Sequence, residues 1–206
     1  MNRQKFQLSK SRTGLLLAIN VGVFFFIPLR ESLFEYAFRL SDKGDLWRWL
    51  THMFVHGSSM HLLFNMVTLH SFGPPIEQRL GRERFTWLYF VSGLVALLTQ
   101  VLTHPNDNNW IVGASGAIAG VIGAMCYLQP HAKLLFFFAL PVKQIRAYYI
   151  IIIGSIACSI FGIGGNIAHM AHVGGLVCGF LMTKYIFKIP PAGPVRMLDP
   201  QTFEMR

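Results

Sequence analysis

The chain is patterned by long stretches that carry no Asp, Glu, Lys or Arg. They run over Thr13–Leu29 (17 residues), Trp49–Ile76 (28), Phe85–Asn106 (22), Asn108–Ala132 (25) and Ala147–Thr183 (37). A helix that spans a bilayer needs about 20 largely apolar residues. The last stretch is long enough for two and is broken by the turn signal Gly162-Ile163-Gly164-Gly165-Asn166. The pattern therefore predicts an all-α polytopic membrane protein with six transmembrane helices, at roughly 13–30, 57–75, 85–103, 115–129, 147–162 and 169–187. The apolar run Leu134–Val142 is too short to cross, and Pro141 closes it, so it reads as an interfacial loop. The domain plan is a basic tail over 1–12, a membrane domain over 13–188 and a second tail over 189–206.

Composition agrees with that reading. Hydrophobic residues make up 53% of the 206 and charged residues 13%, about half the usual share. Disorder, coiled coil and collagen are excluded. The net charge of +9 admits two readings, a nucleic-acid face or the cytoplasmic side of a membrane protein. Its distribution decides. Six spans put both termini on one side, together with 14 of the 18 basic residues, leaving Arg30, Arg39, Lys43 and Arg48 opposite. The positive-inside rule makes the richer side cytoplasmic. The excess is then topological and needs no nucleic acid. The first span has no small-x-small cleavage site after it and reads as a retained anchor. Cys126, Cys158 and Cys178 all fall inside spans at spacings that match no metal or redox motif.

Polar groups inside spans are costly and are functional candidates for that reason. Three clusters stand out: His52, His56, His61 and Asn65; Gly113-Ala114-Ser115-Gly116; and His169, His172, Gly174, Gly175 and Gly179. His52 and His56 are four apart, but no glutamate lies between them as a zinc protease requires. No span offers a carboxylate pair for an aspartyl protease. Serine chemistry is left. Ser115 heads a helix that contains Gly116 and Gly120, a GxxxG that packing alone would explain. His172 shares a helix with Gly175 and Gly179, a second GxxxG. Two glycine-faced helices can pack closely enough to bring Ser and His within reach. Counted along their helices from the cytoplasmic edge, Ser115 and His172 sit at matching depth, about 20 Å in. His61 and Asn65, at i and i+4, share a face. They suit an oxyanion hole together with the Ser115 N–H, or a simple interhelical contact.

These residues resemble those of the rhomboid intramembrane serine proteases. The resemblance runs from about Trp47 to Gly179. It takes in Trp47-Arg48, Thr51, His56, His61-Leu62-Leu63-Phe64-Asn65, Glu77, Gly81, Phe85, Gly113-Ala114-Ser115-Gly116, Ala171-His172-Val173-Gly174-Gly175 and Gly179. It implies a six-helix, rhomboid-like bundle with a Ser115–His172 dyad. It also implies an oxyanion hole of His61, Asn65 and Ser115, and no metal or organic cofactor. Gly113, Gly116, Gly120, Gly175, Gly179, Trp47, Arg48, His56 and Glu77 become supporting residues. The implied partners are the lipid bilayer and single-span membrane-protein substrates, cut at small residues in helix-unfavouring sequence. The implied location is a bacterial inner membrane with both termini cytoplasmic. The chain departs from the family at Ala119, where relatives often carry an aromatic, and at His169. The alternative is a catalytically silent relative that binds membrane proteins; loss of the serine or histidine would mark it, and both are present. The fifth span is a plausible substrate gate on the same resemblance.

Overall fold

The computed structural model describes residues 10–136, 140–163 and 167–192. Most of the two tails, and part of the turn after the fifth predicted span, lie outside these. The first helix, α1 (Arg12–Phe26), begins at Ser11, whose hydroxyl accepts from Gly14 N at 2.9 Å. A second acceptor comes from far along the chain. The buried Glu77 carboxylate takes the Arg12 and Thr13 N–H groups and the Thr13 hydroxyl, each at 2.8 Å. The orphan donors at the helix start and the buried charge thus satisfy each other. Pro28 cannot continue the ladder, and the chain bends by 113° into α2 (Leu29–Tyr36). The expected span at 13–30 is therefore shorter and broken at Pro28.

The next segment, with the short helix α3 (Arg48–Thr51), is held by side chains that bond backbone carbonyls. Trp47 Nε1 donates to Glu35 O, Arg48 Nη1 to Ala37 O and Thr51 Oγ1 to Tyr36 O, at 3.1, 3.0 and 2.7 Å. Arg48 also pairs with Asp45 at 2.9 Å. These bonds anchor an irregular segment that has no ladder of its own.

Four further long helices and a fifth, central one complete the bundle: α4 (Ser59–Leu80), α5 (Arg82–Thr103), α6 (Ser115–Leu128), α7 (Gln144–Phe161) and α8 (His169–Leu181), the last running on into a π-turn over Met182–Ile186. Helix α6 is the axis of the fold and is buried over nearly its whole length. Its glycines explain how. A Cβ on Gly175 would overlap the Gly116 carbonyl, one on Gly179 the Gly120 carbonyl, and one on Gly123 the Leu176 carbonyl. Helices α6 and α8 therefore touch backbone to backbone, as the paired GxxxG pattern leads one to expect.

Two features differ from the sequence-based expectation. The run after α6 is not a loop but an antiparallel hairpin, β1 (Lys133–Phe136) with β2 (Leu140–Lys143), Lys133 opposite Lys143. A hairpin pairs its backbone groups where a bare loop near lipid would leave them unsatisfied. By length and composition, among the described residues only α5 and α7 are apolar enough to cross a bilayer alone, and the bent α1–α2 pair would make a third span. Helix α6 has 14 residues, or about 21 Å, against a core of about 30 Å. Helix α4 carries Pro74, Pro75 and Glu77 in its last two turns.

Candidate active site

Ser115 is the first residue of α6, so its backbone N–H lacks an intrahelical acceptor. His172 sits in the first turn of α8. The backbone contact between these helices brings Ser115 Oγ and His172 Nε2 to 2.9 Å, across 57 residues of sequence. With Nδ1 protonated, Nε2 accepts the hydroxyl proton, the geometry of a nucleophile and its base. Among the described residues no carboxylate bonds His172.

Helix α4 supplies the facing wall. Ser58 caps it, its hydroxyl accepting from His61 N at 3.2 Å. His61 and Asn65 then stand one turn apart and line a cavity of about 530 Å³ together with Ser115, His172, Trp110, Ile111, Val112, Ile167 and Ala168. Asn65 is buried, and its Nδ2 has no hydrogen-bond partner among the described residues. A buried amide donor left open costs free energy unless something occupies it. Asn65 and Thr68 of α4, with apolar positions of α6, α7 and α8, line a second, drier cavity of about 210 Å³ that also reaches Ser115 and His172. Ala119 lies in its wall, where a larger side chain would occupy part of that space.

Gly113 controls how closely the chain before Ser115 approaches α4. Its φ is +107°, and a Cβ would come within 2.7 Å of His61 Cε1 and Nε2 and 3.5 Å of Asn65 Nδ2. No L side chain fits both the conformation and the space. Its N–H donates to His52 O at 2.9 Å. Two residues earlier, Ile111 and Phe38 exchange backbone bonds of 2.8 and 3.1 Å, and Arg39 lies over the Trp110 ring at 4.4 Å. The Trp47–Arg48–Thr51 anchors thus hold the segment against which the Ser115 approach is stitched.

His52 is buried, with Nδ1 3.1 Å from Arg48 O, and burial lowers its pKa to about 4. His56 packs edge-on against His61 at 5.1 Å. Burial, with a smaller contribution from the nearby His61 ring, lowers its pKa to about 4 as well. His169 turns away from the dyad, Nε2 2.8 Å from Ile163 O. Sequence reasoning missed the chamber-lining Trp110, Ile111, Val112, Ile167 and Ala168. It also missed Gln100, whose side chain accepts from Ala171 N at 3.3 Å beside the catalytic candidate. Their only sequence signal was a polar or apolar residue near a span end.

The arrangement is that of a helical membrane protein with a serine–histidine pair held between helices. The Rhomboid domain model matches residues 43–189, and the chain belongs to the rhomboid family, as an integral membrane protein. It is 33% identical to the putative rhomboid protease YdcA of Bacillus subtilis over 82% of this chain and 84% of that one. It is 30% identical to RHOMBOID-like protein 5 of Arabidopsis thaliana, over 82% of this chain and 53% of the relative, so it spans about half the length of that protein. The rhomboid protease AarA of Providencia stuartii is 29% identical over 86% of this chain and 73% of its own.

Proposed function

We propose that the chain is an intramembrane serine endopeptidase that cuts transmembrane or juxtamembrane segments of single-span proteins. The observation that carries this is the 2.9 Å bond between Ser115 Oγ and His172 Nε2, facing a cavity shared with the open Asn65 amide. Ser115 attacks the scissile carbonyl while His172 takes its proton. The developing oxyanion accepts from Asn65 Nδ2, His61 and the Ser115 N–H. His172 then gives the proton to the leaving amine. Water repeats the sequence on the acyl-enzyme.

A helical substrate hides its carbonyls in its own ladder and must unwind locally before attack. The larger cavity suits water and the unwound segment; the drier one suits an apolar side chain. The charge-free stretches favour six spans, and the distribution of basic residues favours cytoplasmic termini. The test is cleavage of a panel of single-span substrates by purified protein beside Ser115→Ala. Cleavage by the wild type and none by the variant is expected; equal turnover by both would overturn the reading.

A further inference from the structure

No Asp or Glu occurs between Asp107 and Asp199, yet Lys133, Lys143, Arg146, Lys184 and Lys188 all fall there. The ion pairs among the described residues, Arg39–Asp42 and Arg48–Asp45, both precede α4. The basic residues around the start of α7 and the end of α8 therefore have no carboxylate partner among the described residues. Lys133 and Lys143 even oppose each other in the hairpin. Gln144 N donates to Ala132 O beside them, so theirs is a non-hydrogen-bonded pair, the kind with the shorter Cα separation of about 4.5 Å. Like charges placed so repel each other.

Helix α8 ends unusually. It passes into a π-turn over Met182–Ile186, and Lys188 then takes a φ of +51°, alone among the described residues other than glycine in being positive. Turns of this kind are rare and recur at functional sites. This one carries Lys184 and Tyr185, both exposed, with Lys184 Nζ 4.8 Å from the centre of the Tyr185 ring. Tyr127 of α6 and Tyr149 of α7 lie within electrostatic reach of the same ammonium. The base of the cluster is packed: the Phe180 ring lies 5.2 Å from Tyr127 and 4.9 Å from Tyr148, and Tyr148 lies 5.4 Å from Tyr149. Arg146, three residues before Tyr149, shares its exposed face of α7. Ile153, one turn further along that face, is 65% exposed. Cationic and phenolic donors from three helices thus border an apolar surface.

We infer that Arg146 and Lys184, with Tyr127, Tyr149 and Tyr185 around them, form a headgroup site for an anionic phospholipid, whose phosphate takes these donors while an acyl chain lies along Ile153. Basic pockets between membrane helices suit such headgroups, and tyrosine rings favour the headgroup level. The apolar border favours a lipid over a free phosphate. The site is independent of chemistry at Ser115: Ser115 and His172 each stand 12 residues before Tyr127 and Lys184 on their own helices, about 18 Å along the axis.

The experiment uses the full-length protein in a neutral detergent, with bound lipid counted by native mass spectrometry. Phosphatidylglycerol and phosphatidylcholine with identical chains are titrated separately, and inorganic phosphate is then added against bound phosphatidylglycerol. Phosphatidylglycerol should bind roughly thirtyfold tighter than phosphatidylcholine, the preference that two basic residues give beside an anionic headgroup. Excess phosphate should not displace it. Arg146→Gln/Lys184→Gln should erase the preference and leave phosphatidylcholine binding and the melting temperature in that detergent unchanged. Arg82→Gln/Arg84→Gln removes the same charge from exposed positions at the start of α5 and should leave the preference intact. Equal affinity of the wild type for the two lipids would overturn the site. So would displacement by phosphate, which would make it a site for a free anion, or an equal loss in the Arg82/Arg84 variant, which would make the preference a matter of net charge.

Discussion

At the residue scale the functional candidates separate into chemistry and support. Ser115→Ala and His172→Ala should each lower turnover roughly 10⁴-fold or more while leaving the melting temperature within a few degrees, because neither removes a large packed side chain. Circular dichroism and a substrate assay in one detergent check both halves of that statement. Asn65 offers a sharper division. If its open Nδ2 serves the oxyanion, Asn65→Ala should cost about 2.7 kcal/mol of transition-state stabilisation, near a hundredfold in kcat. Stability should hold or rise, since an unsatisfied buried donor is removed. A loss of activity that merely tracks the melting temperature would make Asn65 a packing residue. Ser115 and His172 were legible in the sequence because polar groups on glycine seams are unusual. Gln100 and the Trp110–Val112 wall were not, because such residues at span ends are common and only their contacts distinguish them.

At the element scale the glycine seam and the Glu77 tie set where the helices lie. Gly179→Val pushes a branched side chain into the Gly120 carbonyl. It should destabilise by about 1–3 kcal/mol and lower activity further, since it separates α6 from α8 and hence Ser115 from His172. Gly22→Ala in α1, where a Cβ meets nothing within 4 Å, should instead stabilise by about 0.5–1 kcal/mol. Paired thermal melts and turnover measurements decide both. Glu77→Gln replaces an acceptor oxygen by an NH₂ that faces N–H donors. About 1–3 kcal/mol should be lost, with faster proteolysis near α1 as the local signature. The seam was readable as two GxxxG patterns. The cap was not, because Glu77 and Thr13 lie 64 residues apart. The β1–β2 hairpin was missed because an apolar run of that length fits a loop or a strand equally well.

At the scale of the whole molecule, stability should depend on pH through the segment between α3 and α4. His52 and His56 have pKa values near 4 in the folded protein against 6.5 ordinarily. Between these values the unfolded chain binds protons that the folded chain does not. Stability is therefore full above about pH 6.5 and falls as pH drops toward 4, by up to about 1.4 kcal/mol per pH unit for each histidine. Melting temperatures between pH 7.5 and 4.5 should fall accordingly, and less steeply in His56→Gln; a flat profile in the wild type would count against the buried neutral state. The sequence by itself determined that this is a membrane-embedded helical protein and which residues are out of place in lipid. Those are properties of local composition and spacing, which hydropathy and periodicity report directly. It also carried the family resemblance, which rests on residue order. Only the tertiary structure decided that Ser115 meets His172, that Glu77 caps α1, that His52 holds Gly113 and that Ser159 reaches His104. Each of these joins residues 55 or more apart, and in lipid such pairs are chosen by close backbone packing and by the need to satisfy buried polar groups, neither of which leaves a periodic signal along the chain.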